Sequence, residues 1–117
     1  MADKVRASHL LIKHQGSRRP ASWKDPDGVN IRQTTKEDAI AQLTEYRKAI
    51  VEGRADFGQL AERESHCSSA KRGGDMGWFE RGQMQKPFED ATYALQVGEI
   101  SNIVDTDSGV HIIQRTG

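Results

Sequence analysis

Apolar and polar residues alternate from Val5 to Lys13, a period of two that predicts a strand with His9, Leu11 and Lys13 on one face. From Gln15 to Gln33 the alternation stops. Two Pro, two Gly and one Trp in a polar context predict an extended loop, long enough in a small domain to be functional or mobile. Helical spacing follows. Thr34 with Glu37 predicts a capping box, Ala39, Ile40, Leu43, Tyr46 and Ile50 recur along one stripe, and Gly53 ends it. Asp56 heads a second, shorter helix with Phe57, Leu60 and Ala61 turned inward. Ser65 to Ala70 reads as a turn, or one helical turn, around Cys67. Gly73-Gly74 then permits a tight reversal, and Met76 to Phe79 predicts a brief central strand.

Pro87 suits the first turn of a third helix, where a missing N–H costs nothing. Phe88, Ala91 and Leu95 form its inner stripe and Gly98 stops it. Ile103–Asp105 and Val110–Arg115 predict two strands joined by the turn Thr106-Asp107-Ser108-Gly109, with His111 and Ile113 on one face. No repeat or low-complexity tract interrupts this order. Strands and helices segregated in this way, with a hairpin, indicate one antiparallel α+β domain over residues 1–117.

Charge narrows the partners. Lys+Arg and Asp+Glu both number 17, so the formal net charge is zero and no basic excess drives non-specific nucleic-acid binding, although a local basic patch is compatible with that balance. The single cysteine cannot form an internal disulfide, which fits a reducing compartment. The first apolar run is too short and polar for a signal peptide, and no segment reaches membrane-spanning length. The expectation is a soluble intracellular monomer.

Reactive chemistry concentrates between Cys67 and Phe88, in CSSAKRGGDMGWFERGQMQKPF, with His9 and His111 distant in sequence. A histidine on an apolar strand face is usually a core residue, and Met and Phe at helical spacing are usually packing. A thiol with two imidazoles also admits a nucleophilic Cys–His pair, as in a hydrolase or redox protein. Lys13, Arg18 and Arg19 form a local cationic cluster. On composition alone it is a solvated face, yet paired arginine forks suit a phosphate.

ASHLLIKH, GSRRPASW, CSSAKRGGDMGWFERGQMQKPFEDATYAL and TDSGVHIIQRT, in this order, resemble the parvulin peptidyl-prolyl isomerases, and more narrowly their Pin-type branch. The resemblance implies the parvulin (FKBP-like) fold, a four-stranded antiparallel sheet surrounded by about four helices. It also implies cis/trans isomerisation of phosphoSer-Pro or phosphoThr-Pro bonds in phosphoprotein clients, in cytoplasm and nucleus, without cofactor, metal, nucleic acid or membrane. The loop around KDPDGVNIRQ looks like that of plant single-domain members, and a strand starting almost at Met1 leaves no room for a WW domain.

The resemblance also assigns roles. His9, Cys67, Thr106, Ser108 and His111 would form a catalytic polar network. Met76, Met84 and Phe88 would line the proline pocket, where the family often has Leu in place of Met76, and Gln85 would steer the substrate carbonyl. Lys13, Arg18 and Arg19, within the 15–33 phosphate-binding and catalytic loop, would hold the phosphate, with Trp23 anchoring that loop. One residue departs from the pattern: His66 stands where Pin-type proteins generally have an acid. A partly cationic His66 is expected to ease ionisation of Cys67. A phosphopeptide-binding module with secondary turnover is the alternative reading.

The chemistry asks little of the side chains. Rotation about a prolyl amide faces a barrier of roughly 18–20 kcal/mol and takes tens of seconds or longer unaided. No bond breaks, so no nucleophile is needed. The twisted amide has less charge separation than the planar one, and a dry apolar pocket favours it. An acceleration of ~10⁵ requires about 7 kcal/mol.

Overall fold

The computed structural model describes residues 4–117; residues 1–3, at the start of the expected domain, lie outside the described residues. Four strands form one antiparallel sheet: β1 (Lys4–Ile12), β2 (Asp75–Glu80), β3 (Val104–Thr106) and β4 (Gly109–Arg115). Three α-helices pack on it: α1 (Lys36–Val51), α2 (Phe57–Glu64) and α3 (Lys86–Ala94). Short 3₁₀ turns at Ile31–Gln33 and Ser68–Arg72 take the place of the fourth helix. None of the described helices is long and apolar enough to cross a membrane.

The strand order is β2-β1-β4-β3. β1 and β4, the most apolar runs, are therefore central, and the stretch expected to be a central strand is at an edge. Two features of β2 account for this. Trp78 projects to solvent, and Gly77 holds a positive φ that breaks the pleat. In the β1–β4 ladder Leu10 pairs with Ile112, Leu11 with His111 and His9 with Ile113. The period of two sends Leu10, Ile12, Val110 and Ile112 to one face, where they pack with Leu43 of α1 and Leu60 of α2. Val5, Ala7 and Ile113 point to the other face, against Phe79 and Phe88.

Helix α1 begins one residue later than the spacing implied. Thr35 is the N-cap: its hydroxyl accepts from the Asp38 N–H (3.0 Å), and the Asp38 carboxylate accepts from the Thr35 N–H (3.3 Å). Thr34 is already engaged, its hydroxyl donating to the Asn30 carbonyl (2.8 Å). Asp56 caps α2 as expected, accepting from the Gln59 N–H (3.0 Å). Helix α3 ends at Ala94 rather than near Gly98, because Leu95 turns extended and the Gly98 N–H is bonded to the Arg115 carbonyl (2.7 Å).

The long loop is closed and braced. Its ends meet where the Gln15 N–H donates to the Thr34 carbonyl (2.8 Å). Inside it, the Asp25 carboxylate accepts from the N–H groups of Val29, Asn30 and Ile31 at 3.1, 2.9 and 2.9 Å, and Ile31 is fully buried. The Trp23 indole N–H reaches the carbonyls of Ser65 (2.9 Å) and Cys67 (3.0 Å).

Candidate active site

Adjacent central strands bring the two sequence-distant histidines together. His9 Nδ1 and His111 Nδ1 are 2.9 Å apart and the rings are stacked, with 5.1 Å between centroids. His111 Nε2 lies 2.7 Å from the Thr106 hydroxyl, which also accepts from the Ser108 N–H (3.1 Å). The other acceptor near that hydroxyl, the Gly109 carbonyl, is 3.5 Å away. The hydroxyl and both rings form one chain of hydrogen-bonding atoms, Thr106 Oγ1 to His111 Nε2 and His111 Nδ1 to His9 Nδ1. Burial, then the neighbouring His9, hold the His111 pKa well below the ordinary histidine value, so the ring is neutral at pH 7.

Cys67 reaches this pair through a separate brace. Ser65, fully buried at the end of α2, accepts from the Leu11 N–H through its hydroxyl (3.0 Å), and the His66 N–H donates to the Leu11 carbonyl (2.8 Å). The chain after α2 is thereby stitched to β1 and the half-buried thiol is presented beside His9. Burial pushes the thiol up. The neighbouring His9 ring, then Ser69, more than offset this and lower its pKa to about 6. Ser65 and Ser69 escaped the sequence reading; their signal is the serine clustering around one cysteine in SHCSSA.

An apolar wall adjoins the histidines. Phe88 meets both rings edge-on, each at 5.4 Å between centroids, and Met76 and Met84 pack half-buried in the same cluster. Gln85, the residue before α3, donates to the Ser108 hydroxyl (2.8 Å) and accepts from the Asp107 N–H (3.2 Å). Its amide ties α3 to the β3–β4 turn and keeps one N–H uncommitted.

On the other side of Cys67 lies a groove of about 600 Å³, lined by Lys13, Arg18, Arg19, His66, Cys67 and Ser108 among others. The methionines and Phe88 are not in its lining, so the site has a basic half and an apolar half. The Lys13 ammonium donates to the carbonyls of Arg19 (2.9 Å) and Ala21 (2.7 Å), and the Arg18 N–H donates to the Asp107 carbonyl (2.7 Å). Burial, then the Arg19 charge, lower the Lys13 pKa. Among the described residues neither Arg18 nor Arg19 has an ion-pair partner.

The expected cationic help from His66 is absent. Burial, reinforced by Lys24 and Lys13 and opposed by Asp25 and Glu64, lowers its pKa to about 4, so the ring is neutral at pH 7. Cys67 owes its acidity to His9 and Ser69 instead. A carboxylate at this position would still repel the thiolate. His66→Asp is expected to raise the Cys67 pKa by about one unit and slow iodoacetamide alkylation at pH 6.5 about threefold. Identical rate–pH profiles would refute this.

The chain is similar to known proteins over nearly its whole length. A family model described as "Rotamase: PPIC-type PPIASE domain" matches residues 9–117. The peptidyl-prolyl cis-trans isomerase Pin1 of Digitalis lanata is 69% identical over 116 residues, covering 99% of this chain and 98% of that protein. Its Arabidopsis thaliana counterpart is 69% identical over 114 residues, covering 97% and 96%. Among solved structures, the peptidyl-prolyl isomerase ESS1 from Candida albicans superposes with a TM-score of 0.94 at 52% identity, over 98% of this chain and 63% of that one. With its histidine pair, polarised thiol and aromatic pocket on a parvulin sheet, the chain belongs to the PPIC-type rotamases and is a peptidyl-prolyl cis/trans isomerase of the Pin1 type.

Proposed function

We propose that the isomerase acts on phosphoSer-Pro and phosphoThr-Pro bonds of phosphoprotein clients, without covalent catalysis. The observation that carries this reading is the pair of unpaired guanidiniums, Arg18 and Arg19, in a groove that also contains Cys67. The phosphate sits against Arg18 and Arg19, with the third Lys13 proton as a further donor. The proline ring enters the apolar half against Phe88, Met76 and Met84. The bond between them then lies beside Cys67 and Ser108.

Each half has a distinct task. Anchoring the phosphate and ring holds the two ends while the amide turns, so binding energy is directed to the twisted state. A thiolate near the carbonyl oxygen opposes the charge separation that keeps the amide planar, and the dry Phe88 wall acts in the same direction. The Thr106–His111–His9 chain holds the His9 ring in place beside the sulfur.

The test is cis/trans exchange by NMR on matched peptides containing phosphoSer-Pro, Ser-Pro and Glu-Pro. Exchange accelerated at least about 10²-fold more on the phosphopeptide is the expected result. Equal acceleration on all three would reduce the enzyme to a general parvulin, and tight phosphopeptide binding without exchange would make it a binding module.

A further inference from the structure

Glu89 carries a buried carboxylate that no step above uses. The residue is only 6% exposed and follows Phe88 directly on α3. Phe88 faces the histidine pair, whereas the Glu89 side chain reaches back to the connection between β2 and α3. Its carboxylate accepts from the Gly82 N–H (2.5 Å) and from the Arg81 guanidinium (3.1 Å). Its own N–H donates to the Gln85 carbonyl (3.0 Å). One residue therefore grips the connection on both sides of Met84. The tip it grips is otherwise held only locally. Arg81 lies over the Tyr93 ring, 4.0 Å from its centroid, and the Gln83 N–H reaches the Glu80 carbonyl at 3.3 Å. Arg81, Gly82 and Gln83 are exposed, and a side chain added at Gly82 would meet nothing within 4 Å.

We propose that Glu89 is a positioning residue for isomerisation, its carboxylate holding the Arg81–Gly82 tip so that Met84 and Gln85 keep their places at the prolyl site. The inference rests on the placement of the proline ring against Phe88 and Met84 given above, and not on the phosphate. A carboxylate beside an apolar cluster costs desolvation, which its hydrogen bonds offset. A well-packed apolar residue would fill the same space without that cost. What it could not supply is an anchor for the Gly82 N–H. Met84 packs half-buried in the cluster of Phe79 and Phe88, and Gln85 spans to the Ser108 hydroxyl (2.8 Å) and the Asp107 N–H (3.2 Å). A released tip would let both residues drift, and a misplacement of about 1 Å can cost as much as about 10²-fold in rate.

Positioning has a signature that plain stabilisation lacks. Removing the carboxylate leaves the Gly82 N–H and the Arg81 guanidinium facing water, since both residues are exposed, so no polar group is stranded in the interior and the fold is spared. Neither Arg81, Gly82 nor Glu89 lines the basic groove. Turnover should therefore fall on phosphorylated and unphosphorylated prolyl peptides alike, while the hold on a phosphoserine stays as it was. This selectivity is the reverse of that expected from Arg18 and Arg19, which act on the phosphopeptide alone.

The experiment compares Glu89→Met and Glu89→Gln in the full chain. Methionine keeps the length and bulk without an oxygen, whereas glutamine keeps an acceptor for the Gly82 N–H and drops the charge. Assayed well below its melting temperature, E89M is expected to lose about tenfold in kcat/KM on both phosphoSer-Pro and Ser-Pro peptides, and E89Q no more than about threefold. Affinity for a phosphoSer-Ala peptide, which carries the phosphate without the ring, is expected to stay within about twofold of wild type in both variants. Wild type supplies a readout that needs no variant to fold: hydrogen exchange at the Gly82 amide, expected to be slowed at least about tenfold relative to an unbonded exposed amide. Folded E89M with wild-type kcat/KM, E89Q as impaired as E89M, phosphoSer-Ala binding weakened in step with turnover, or a Gly82 amide exchanging at the free rate overturns the proposal alone. Met84→Ala with wild-type turnover overturns the placement of the proline ring and this proposal with it.

Discussion

Replacing Arg18 and Arg19 together by alanine is expected to lower kcat/KM for a phosphoSer-Pro peptide about 10²–10³-fold, with the unphosphorylated peptide changed by less than about twofold. A charge-assisted hydrogen bond contributes roughly 1.5–3 kcal/mol. Two such contacts on exposed side chains fall at the lower end, about 3–4 kcal/mol together, because solvent screens them. Neither guanidinium has an ion-pair partner among the described residues, so their loss leaves no orphaned carboxylate and spares the fold. Lys13 is a poorer probe of phosphate binding. Its ammonium holds the carbonyls of Arg19 and Ala21, so Lys13→Ala would disturb the loop for every substrate. NMR exchange rates on the two peptides decide the matter. A double variant that loses both activities equally would place the arginines in loop structure instead of substrate selection.

The largest stability effect is expected from Gly74→Ala. Gly74 has φ +87°, and a Cβ there would sit 2.3 Å from the carbonyl oxygen of His9. That carbonyl cannot retreat freely, since the His9 N–H is bonded to the Gly74 carbonyl at 2.9 Å and β1 is held on its other side by β4. Strain of this kind costs roughly 3 kcal/mol or more, which corresponds to a Tm lower by about 10–15 °C in a domain of this size. Gly82→Ala is the matched control: its φ is +94°, but nothing lies within 4 Å of the added Cβ. Its cost should stay near ~1 kcal/mol. Circular dichroism melts of the two variants give the comparison, and equal melting temperatures would show that backbone conformation, not the His9 contact, sets the effect. Because the displaced residue is His9, Gly74→Ala should also lose turnover below its melting temperature.

Elements whose identity is local were legible in the sequence. The alternation through β1 and β4 placed His9 and His111 on their proper faces, and Asp56 marked the start of α2, because period and capping depend on neighbours a few residues apart. What misled was non-local. Thr34 looked like an N-cap until the loop closure claimed its hydroxyl and carbonyl, leaving Thr35 to cap α1. Met76 to Phe79 looked central because a short apolar run carries no sign of whether a second strand flanks it. Residue chemistry showed the same division. Cys67, the histidines and the basic triad stood out by type and by resemblance, whereas the roles of Ser65 and Ser69 exist only through contacts across the fold. The charge of His66 was misjudged because its burial and the nearby lysines are three-dimensional facts.

The central strands carry two kinds of information in alternating letters. Along β4, Val110 and Ile112 face the helical layer of α1 and α2, while His111 and Ile113 face α3 and the site. Chain neighbours therefore carry different loads, one set packing the helical layer and the other facing α3 and the reacting bond. A lineage moving to a hotter habitat could revise the even-numbered positions while leaving its catalytic repertoire intact, and one acquiring new clients could do the reverse within the same four residues.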